Sequence, residues 1–131
     1  MILLGDFNDE PFDLTISEHV FSTRDRNKAK RKKELFYNPF WRSLGNPKPL
    51  VLGEKDITPP GTYFHKSGVG TNWRTFDQLI FSSNFLKSKD WFLIESETKA
   101  LYDQLLLDKV KNRNEIFDHL PVIGVIERDK K

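Results

Sequence analysis

Large aromatic rings constrain what this chain can build as an interior. Its 131 residues include eleven Phe, three Tyr and three Trp, and no cysteine. A chain of this length can bury one modest core, and much of that core must be built from rings. We therefore expect a single domain spanning residues 1–131. Disulfides, cysteine-ligated zinc and a thiol nucleophile are excluded, which leaves carboxylate and imidazole chemistry.

Short apolar runs separated by turns predict an α/β (α+β) fold, in which helices flank a mixed β-sheet. Strands are predicted at residues 2–4, 62–65, 75–82, 91–94 and 120–126. Helices are predicted at 9–21, 34–44 and 99–110. The strands 62–65 and 75–82 are expected to pair as a hairpin-like unit. The proline-rich residues 45–61 are expected to form an extended surface loop.

A basic run occupies residues 24–33 and carries a net charge of +6, although the whole chain carries only +2. The run has almost no apolar residue to bury, so it is expected to be an exposed loop or the solvated start of the next helix. It is either a solvated charged face or a nucleic-acid contact, because clustered Lys and Arg neutralise phosphates. The absence of interleaved aromatic residues favours the solvated face. The aromatic residues that follow the run are expected from their helical spacing to pack in the core, and a lipid- or base-facing patch is the alternative: Phe36, Tyr37, Phe40 and Trp41.

The first polar motif, Gly5-Asp6-Phe7-Asn8, follows the first predicted strand. Its carboxylate and amide lie two residues apart, so both can project into one pocket from the strand end. Asp6 can hold or activate a water molecule, and Asn8 can donate to a phosphoryl oxygen. A polar turn after a core strand is the alternative that a single short motif leaves open.

A second motif, Asp118-His119-Leu120-Pro121-Val122, opens the last predicted strand. Neighbouring strand residues point to opposite faces, so one side chain can bind a cation while the other faces a substrate. Magnesium prefers carboxylate oxygens, and imidazole is a natural proton acceptor near pH 7. A surface turn that contains a hydrogen-bonded His is the alternative.

A third motif places Asp77 inside an otherwise apolar strand, just after Trp73 and Arg74. An unpaired buried carboxylate is costly, so Asp77 needs a partner. His119 is the expected partner, because a carboxylate on one ring nitrogen fixes the tautomer and leaves the other nitrogen to take a proton. An ion pair with Arg74 is the alternative. Trp73 beside Arg74 flanks a substrate or serves in packing.

Taken in this order, the three motifs resemble the endonuclease/exonuclease/phosphatase family of metal-dependent phosphoesterases. The resemblance runs from Gly5 to Val122, but it covers only the C-terminal half of the family's pattern. It therefore implies half of a four-layer, deoxyribonuclease I-like sandwich. Two departures are visible. Phe117 stands where the family has Ser, and the spacing from Arg74 to Asp77 is longer than is usual in abasic-site enzymes.

The resemblance also implies residue roles and a reaction. The implied catalytic residues are Asp6, Asn8, Asp77 and His119, the implied metal ligands are Asp6 and Asp118, and the implied substrate contacts are Asn8, Trp73 and Arg74. The reaction is in-line attack of water on a phosphoester, of the nuclease, phosphodiesterase or phosphatase type, assisted by Mg²⁺ or alternatively by Mn²⁺ or Ca²⁺.

The family's N-terminal half supplies an early Asn, a metal-binding Glu, a Tyr and another His, and none has a counterpart here. We therefore expect Met1 to mark a fragment boundary, Mg²⁺ to bind weakly, and the isolated chain to show little or no turnover. One sheet face should be apolar and uncovered, which favours self-association as a homodimer. The alternative function is a non-catalytic module that retains the scaffold and binds nucleic acid or protein. No stretch approaches the ~18 apolar residues of a membrane span.

Overall fold

The computed structural model describes residues 1–87 and 90–129, and its architecture is mixed α+β, with several small sheets and few helices. The strands are β1 (Ile2–Asp6), β2 (Ser22–Thr23), β3 (Phe36–Tyr37), β4 (Tyr63–Phe64), β5 (Trp73–Arg74), β6 (Asp77–Ser82), β7 (Trp91–Leu93), β8 (Lys99–Ala100), β9 (Val122–Ile123) and β10 (Ile126–Arg128). The α-helices are α1 (Arg26–Arg31) and α2 (Gln104–Lys111). A π-helical turn covers Thr15–His19, and 3₁₀ turns cover Pro39–Ser43, Ser83–Leu86 and Glu95–Glu97. The predicted mixture of sheet and helices is confirmed at this coarse level.

A four-stranded sheet in the order β1-β6-β3-β2 organises the fold. β6 pairs antiparallel with both β1 and β3, and β3 pairs parallel with β2. In the β1–β6 pair, Ile2 lies opposite Phe81 and Asp6 lies opposite Asp77. Because residues directly opposite each other in an antiparallel pair share a face, the carboxylates of Asp6 and Asp77 emerge side by side at one end of the sheet.

Three two-stranded sheets, β4–β5, β8–β9 and β7–β10, complete the strand pairing. The strand β4 connects the segment around His119 to the entry of β6. Leu120 donates its N–H to the Thr62 carbonyl at 2.7 Å, and Tyr63 forms an isolated bridge with His119. The Asp77 N–H donates to the Thr62 hydroxyl oxygen at 2.9 Å. Residues 118–120 are therefore held beside the first residue of β6.

Aliphatic side chains contribute more residues to the core than the composition suggests, and the buried aromatic residues among those described are Tyr37, Phe40 and Phe81. Phe40, Leu79 and Phe81 form one buried cluster, and a second cluster contains Ala100, Leu107, Val110 and Leu120. Phe40 and Phe81 are the largest fully buried side chains. The strand β6 is buried from Gln78 to Phe81, because neighbours cover both of its faces.

The predicted helix at 34–44 is wrong. The chain instead forms β3 and then the 3₁₀ turn Pro39–Ser43, in which Asn38 accepts a hydrogen bond from the Phe40 N–H. Proline has no N–H and its ring obstructs the preceding turn of an α-helix, which explains the break. The basic run forms its own helix α1, which Asp25 caps by accepting from the Lys28 N–H at 2.8 Å. Of the helix predicted at 9–21, only the π-helical turn is present.

The predicted pairing of strand 62–65 with strand 75–82 is also wrong. β4 pairs with β5, whereas β6 pairs with β1 along one edge and with β3 along the other. The helix predicted at 99–110 starts only at Gln104, with Asp103 as its N-cap, and Lys99–Ala100 is a strand. The last predicted strand is divided at Gly124, where a Cβ atom would lie 2.5 Å from Leu79 Cδ2. The loop at 45–61 is confirmed, since it contains no helix or strand.

The helices seen in residues 1–87 and 90–129 are short. None of them combines the length and the apolar character that crossing a bilayer demands.

Candidate functional site

Three of the predicted catalytic side chains meet at one end of the central sheet. Asp6 is the last residue of β1, Asp77 is the first residue of β6, and His119 lies in the segment that leads to β9. One carboxylate oxygen of each aspartate and one ring nitrogen of His119 all lie within 4.8 Å of one another. We call these three residues the acid–imidazole cluster. Their convergence comes from tertiary structure, because they belong to three distant segments.

Asp77 and His119 form the tightest contact of the cluster. Oδ2 of Asp77 lies 2.9 Å from Nδ1 of His119. In a neutral ring this contact selects the tautomer with the proton on Nδ1, because a carboxylate there accepts a hydrogen bond, and it leaves the lone pair on Nε2. Arg74, the alternative partner, lies instead 3.9 Å from the Glu10 carboxylate.

Tyr63 restricts the imidazole from a second side. Its ring centroid lies 4.7 Å from that of His119, and Phe76 stacks on Tyr63 at 5.3 Å. The His119 side chain keeps 35% of its surface exposed. Together with Asp118, it lines an open groove of about 550 Å³ formed by residues 114–119. The ring is thus held in orientation while it stays accessible to a ligand.

Asp118 adjoins the acid–imidazole cluster without belonging to it. Its Oδ1 lies 3.7 Å from Nε2 of His119, and its backbone carbonyl accepts from the Phe64 N–H at 2.8 Å. Its carboxylate is not among the ligand atoms that lie within 4.8 Å of one another. The predicted role of Asp118 as a metal ligand therefore stays a prediction.

Asn8 is exposed and lies in a strained turn directly after Asp6. Its φ angle is 53°, in the left-handed region that Asn tolerates better than most residues. Its N–H donates to Oδ1 of Asp6 at 3.0 Å, so the turn orients the Asp6 carboxylate. Within the described residues the Asn8 side-chain amide has no hydrogen-bond partner.

Trp73 and Arg74, two of the three predicted substrate contacts, lie outside the acid–imidazole cluster. The Trp73 ring meets Phe64 edge-on at 5.1 Å and packs against the second core cluster. The packing alternative therefore describes Trp73 well. Arg74 keeps 42% of its side chain exposed while it faces Glu10, so it remains accessible to a ligand.

Glu10 supports the site, although the sequence placed it only at the start of the helix predicted at 9–21. It is buried, and its Oε2 accepts from the Thr75 N–H at 3.0 Å. Burial raises the pKa of Glu10 above its ordinary value of 4.5, although the Thr75 N–H and Arg74 act to lower it. The bond from Glu10 to Thr75 ties the loop after β1 to the entry of β6. An acid before a proline is equally typical of a helix start, so no local signal distinguished the two roles.

Gln78 reinforces the same connection from the interior. Its fully buried side chain donates to the carbonyls of Asp9 at 2.7 Å and Thr75 at 2.8 Å. Its oxygen accepts from the Asn38 amide at 2.7 Å. These bonds satisfy every polar atom of the buried amide and fix the relative position of Asp6 and Asp77.

Comparison of the chain with protein-family models, with curated proteins and with solved structures finds no match. A functional assignment must therefore come from the residues of the chain and their geometry.

Proposed function

We propose that this chain carries part of the active centre of a metal-dependent phosphoesterase that hydrolyses a phosphodiester or a phosphomonoester. The convergence of Asp6, Asp77 and His119 within 4.8 Å supports this proposal most directly. An imidazole oriented by one carboxylate, beside a second carboxylate at an accessible sheet end, suits the activation of water for attack on a phosphoryl group. We also propose that the β1-β6-β3-β2 sheet belongs to half of a deoxyribonuclease I-like sandwich, as the motif resemblance implies.

The donor atoms of the acid–imidazole cluster fit a divalent cation. Mg²⁺ binds through one or two carboxylates and keeps several waters, and carboxylate and water ligands suit Mn²⁺ as well. Asp6 is exposed, so water can complete the coordination. A bound cation would neutralise the charge that develops on the phosphoryl oxygens. Because His119 is reserved for the proton, the carboxylates of Asp6 and Asp77 alone would form an open and therefore weak site.

In this proposal each side chain has one task. Asp6 holds the attacking water, and Nε2 of His119 takes its proton while Asp77 accepts from Nδ1. The side-chain amide of Asn8 donates to a phosphoryl oxygen. The new oxygen–phosphorus bond forms as the bond to the leaving group breaks, and the leaving oxygen takes up a proton from solvent.

Titration with paramagnetic Mn²⁺, followed by NMR, tests the cation site without requiring turnover. We expect the signals of Asp6, Asp77 and His119 to broaden first and at lower Mn²⁺ concentration than other acidic regions. Asp6→Asn should abolish this preference, whereas Glu97→Gln, at a side chain that is 58% exposed, should leave it unchanged. Broadening that is strongest elsewhere, or that survives Asp6→Asn, would contradict the proposal.

Hydrolysis of bis(p-nitrophenyl) phosphate in Mn²⁺ tests the reaction itself. We expect slow turnover by the isolated chain, lowered by ~10²-fold or more in His119→Gln because the proton acceptor is lost. Turnover that continues in EDTA, or that is indifferent to His119→Gln, would exclude the proposed mechanism. Fast turnover together with tight Mg²⁺ binding would instead show that the site is complete within this chain.

A further inference from the structure

We propose that a surface beside α1 binds single-stranded nucleic acid. This basic–aromatic surface consists of Phe12, Arg24 and Trp41 together with the exposed cations of residues 26–33. None of these residues belongs to the acid–imidazole cluster, so the surface is a binding site in addition to the proposed catalytic one.

The rings come to the basic run through tertiary structure. The guanidinium carbon of Arg24 lies 5.1 Å from the centroid of the Trp41 ring. The Phe12 ring lies 6.2 Å from Trp41 at an interplanar angle of 52°, and Phe12 is 54% exposed. The basic run contains no aromatic residue in its own sequence, but this packing places Phe12 and Trp41 beside it. Phe12 is exposed and Trp41 is half-buried, so the Phe12 ring beside the Trp41–Arg24 pair offers a surface on which an unpaired base can stack.

The charge of the run is largely free to meet an anion. All seven cations of residues 24–33 are exposed, and within the described residues only Arg26 takes part in an ion pair, with Glu95 at 2.6 Å. The single acid of the run, Asp25, caps α1 through the Lys28 N–H. The six-residue helix buries only Ala29, so it presents almost its whole surface to solvent.

These cations repel one another unless an anion lies between them. The helix α1 is roughly 9 Å long at 1.5 Å per residue. The charges on it therefore lie within about one Debye length of each other at 0.1 M salt, ~10 Å. Phosphates spaced along a nucleic-acid backbone relieve this repulsion and release counterions. Aromatic rings next to the cations favour a single strand over an anionic bilayer. Flat bases stack on such rings, whereas insertion into a bilayer requires exposed apolar side chains without charged neighbours.

Fluorescence anisotropy with fluorescein-labelled dT12 in EDTA tests the proposal, and the chelator excludes metal-dependent hydrolysis. We expect log K to fall linearly as log salt concentration rises. The slope should be about −4, because each of six cations contributes about −0.7. Replacing two of them in Lys32→Gln/Lys33→Gln should reduce the slope by about 1.4. The matched control, Lys48→Gln/Lys55→Gln, removes the same charge from exposed positions of the 45–61 loop and should leave the slope unchanged.

The stacking component is tested by Phe12→Ala, a change at an exposed ring that leaves the core intact. Binding of dT12 should weaken by at least ~5-fold, while binding of a duplex of the same length should not change because its bases are already stacked. Three results would overturn the proposal: equal salt slopes in the two lysine variants, equal loss for single strand and duplex in Phe12→Ala, or binding to phosphatidylserine vesicles without binding to dT12. None of these results bears on hydrolysis by the acid–imidazole cluster.

Discussion

The imidazole of His119 is oriented by side chains from β4 and β6. Asp77 lies 2.9 Å from Nδ1, and Tyr63 packs on the ring at 4.7 Å. Oδ1 of Asp118 lies 3.7 Å from Nε2, too far for a hydrogen bond, so that nitrogen stays available to a ligand. The imidazole therefore contacts the protein through Nδ1, and its Nε2 is available to take up a proton in a reaction.

The tautomer of His119 follows from its contact with Asp77. We expect the neutral ring to carry its proton on Nδ1, and Asp77→Ala to abolish that preference because the acceptor is lost. Long-range ¹H–¹⁵N correlation at about pH 8, above the usual histidine titration, distinguishes the two nitrogens. His19, on the π-helical turn, serves as the internal control. A wild-type ring protonated on Nε2 would contradict the geometry.

Glu10 should make the stability of the protein depend on pH. Since burial raises its folded-state pKa above 4.5, the folded chain holds this proton more tightly than the unfolded chain does. The contribution of Glu10 to stability is therefore largest below pH 4.5 and is lost as pH rises through the folded pKa. Glu10→Gln keeps an acceptor for the Thr75 N–H but does not titrate.

Urea unfolding of wild type and Glu10→Gln at pH 4 and pH 7 measures this effect. We expect the stability of wild type relative to the variant to be lower at pH 7 than at pH 4. Parallel curves for the two proteins across this range would show that Glu10 titrates alike in the folded and unfolded chains.

At the level of secondary structure, the hairpin of β4 and β5 positions the site. Thr62 precedes β4, and its N–H donates to the Arg74 carbonyl at 2.7 Å while its hydroxyl accepts from the Asp77 N–H at 2.9 Å. Its own carbonyl accepts from Leu120. A single residue thus links β5, β6 and the His119 segment. A small displacement of this hairpin should move Asp77 relative to His119.

Gly61 permits the close approach on which this hairpin depends. A Cβ atom there would lie 2.6 Å from the Arg74 carbonyl oxygen and 3.0 Å from two further backbone atoms of Arg74. Because backbone gives way only at a cost, Gly61→Ala should destabilise the protein by ~1–3 kcal/mol in urea unfolding. Gly45→Ala is the control, since a Cβ atom there meets nothing within 4 Å. Similar unfolding midpoints for the two variants would argue against the close packing.

For the whole molecule, β1 presents an edge to solvent. It ends the order β1-β6-β3-β2, and in the described residues its second edge has no partner strand. Ser82 donates to the Met1 carbonyl and Phe7 donates to that of Phe76, so the odd-numbered residues pair toward β6. The backbone groups of Ile2 and Leu4 therefore point outward. Leu4 is 66% exposed, which adds an apolar side chain to an open edge.

An open apolar edge favours pairing with another strand. We expect the chain to self-associate at high concentration, and Leu4→Lys to weaken this association by placing a charge on the edge. Leu52→Lys is the matched control, because Leu52 is 90% exposed in the 45–61 loop, away from the sheet. Light scattering across a concentration series measures the association. A monodisperse monomer at every concentration would refute the expectation.

Local patterns in the chain were sufficient for several features: the strand that ends at Asp6, most of the strand that begins at Asp77 and the loop at 45–61. Each depends on near neighbours. The cost of an unpaired buried charge predicted that Asp77 needs a partner, but only the fold selected His119 over Arg74. The prediction of a helix at 34–44 was wrong. The spacing of its aromatic residues suits a helix, but Asn38 and Pro39 favour a capped 3₁₀ turn.

Only the folded chain decided which strands pair with β6, because both of its edges hydrogen-bond to strands that are distant in sequence. The same holds for the bond from Glu10 to Thr75 and for the position of Trp41 beneath Arg24. A short segment of sequence does not specify which distant surface it will pack against. Contacts of this kind are set when the core closes, and they decide where the chain's charges and rings lie relative to its candidate catalytic groups.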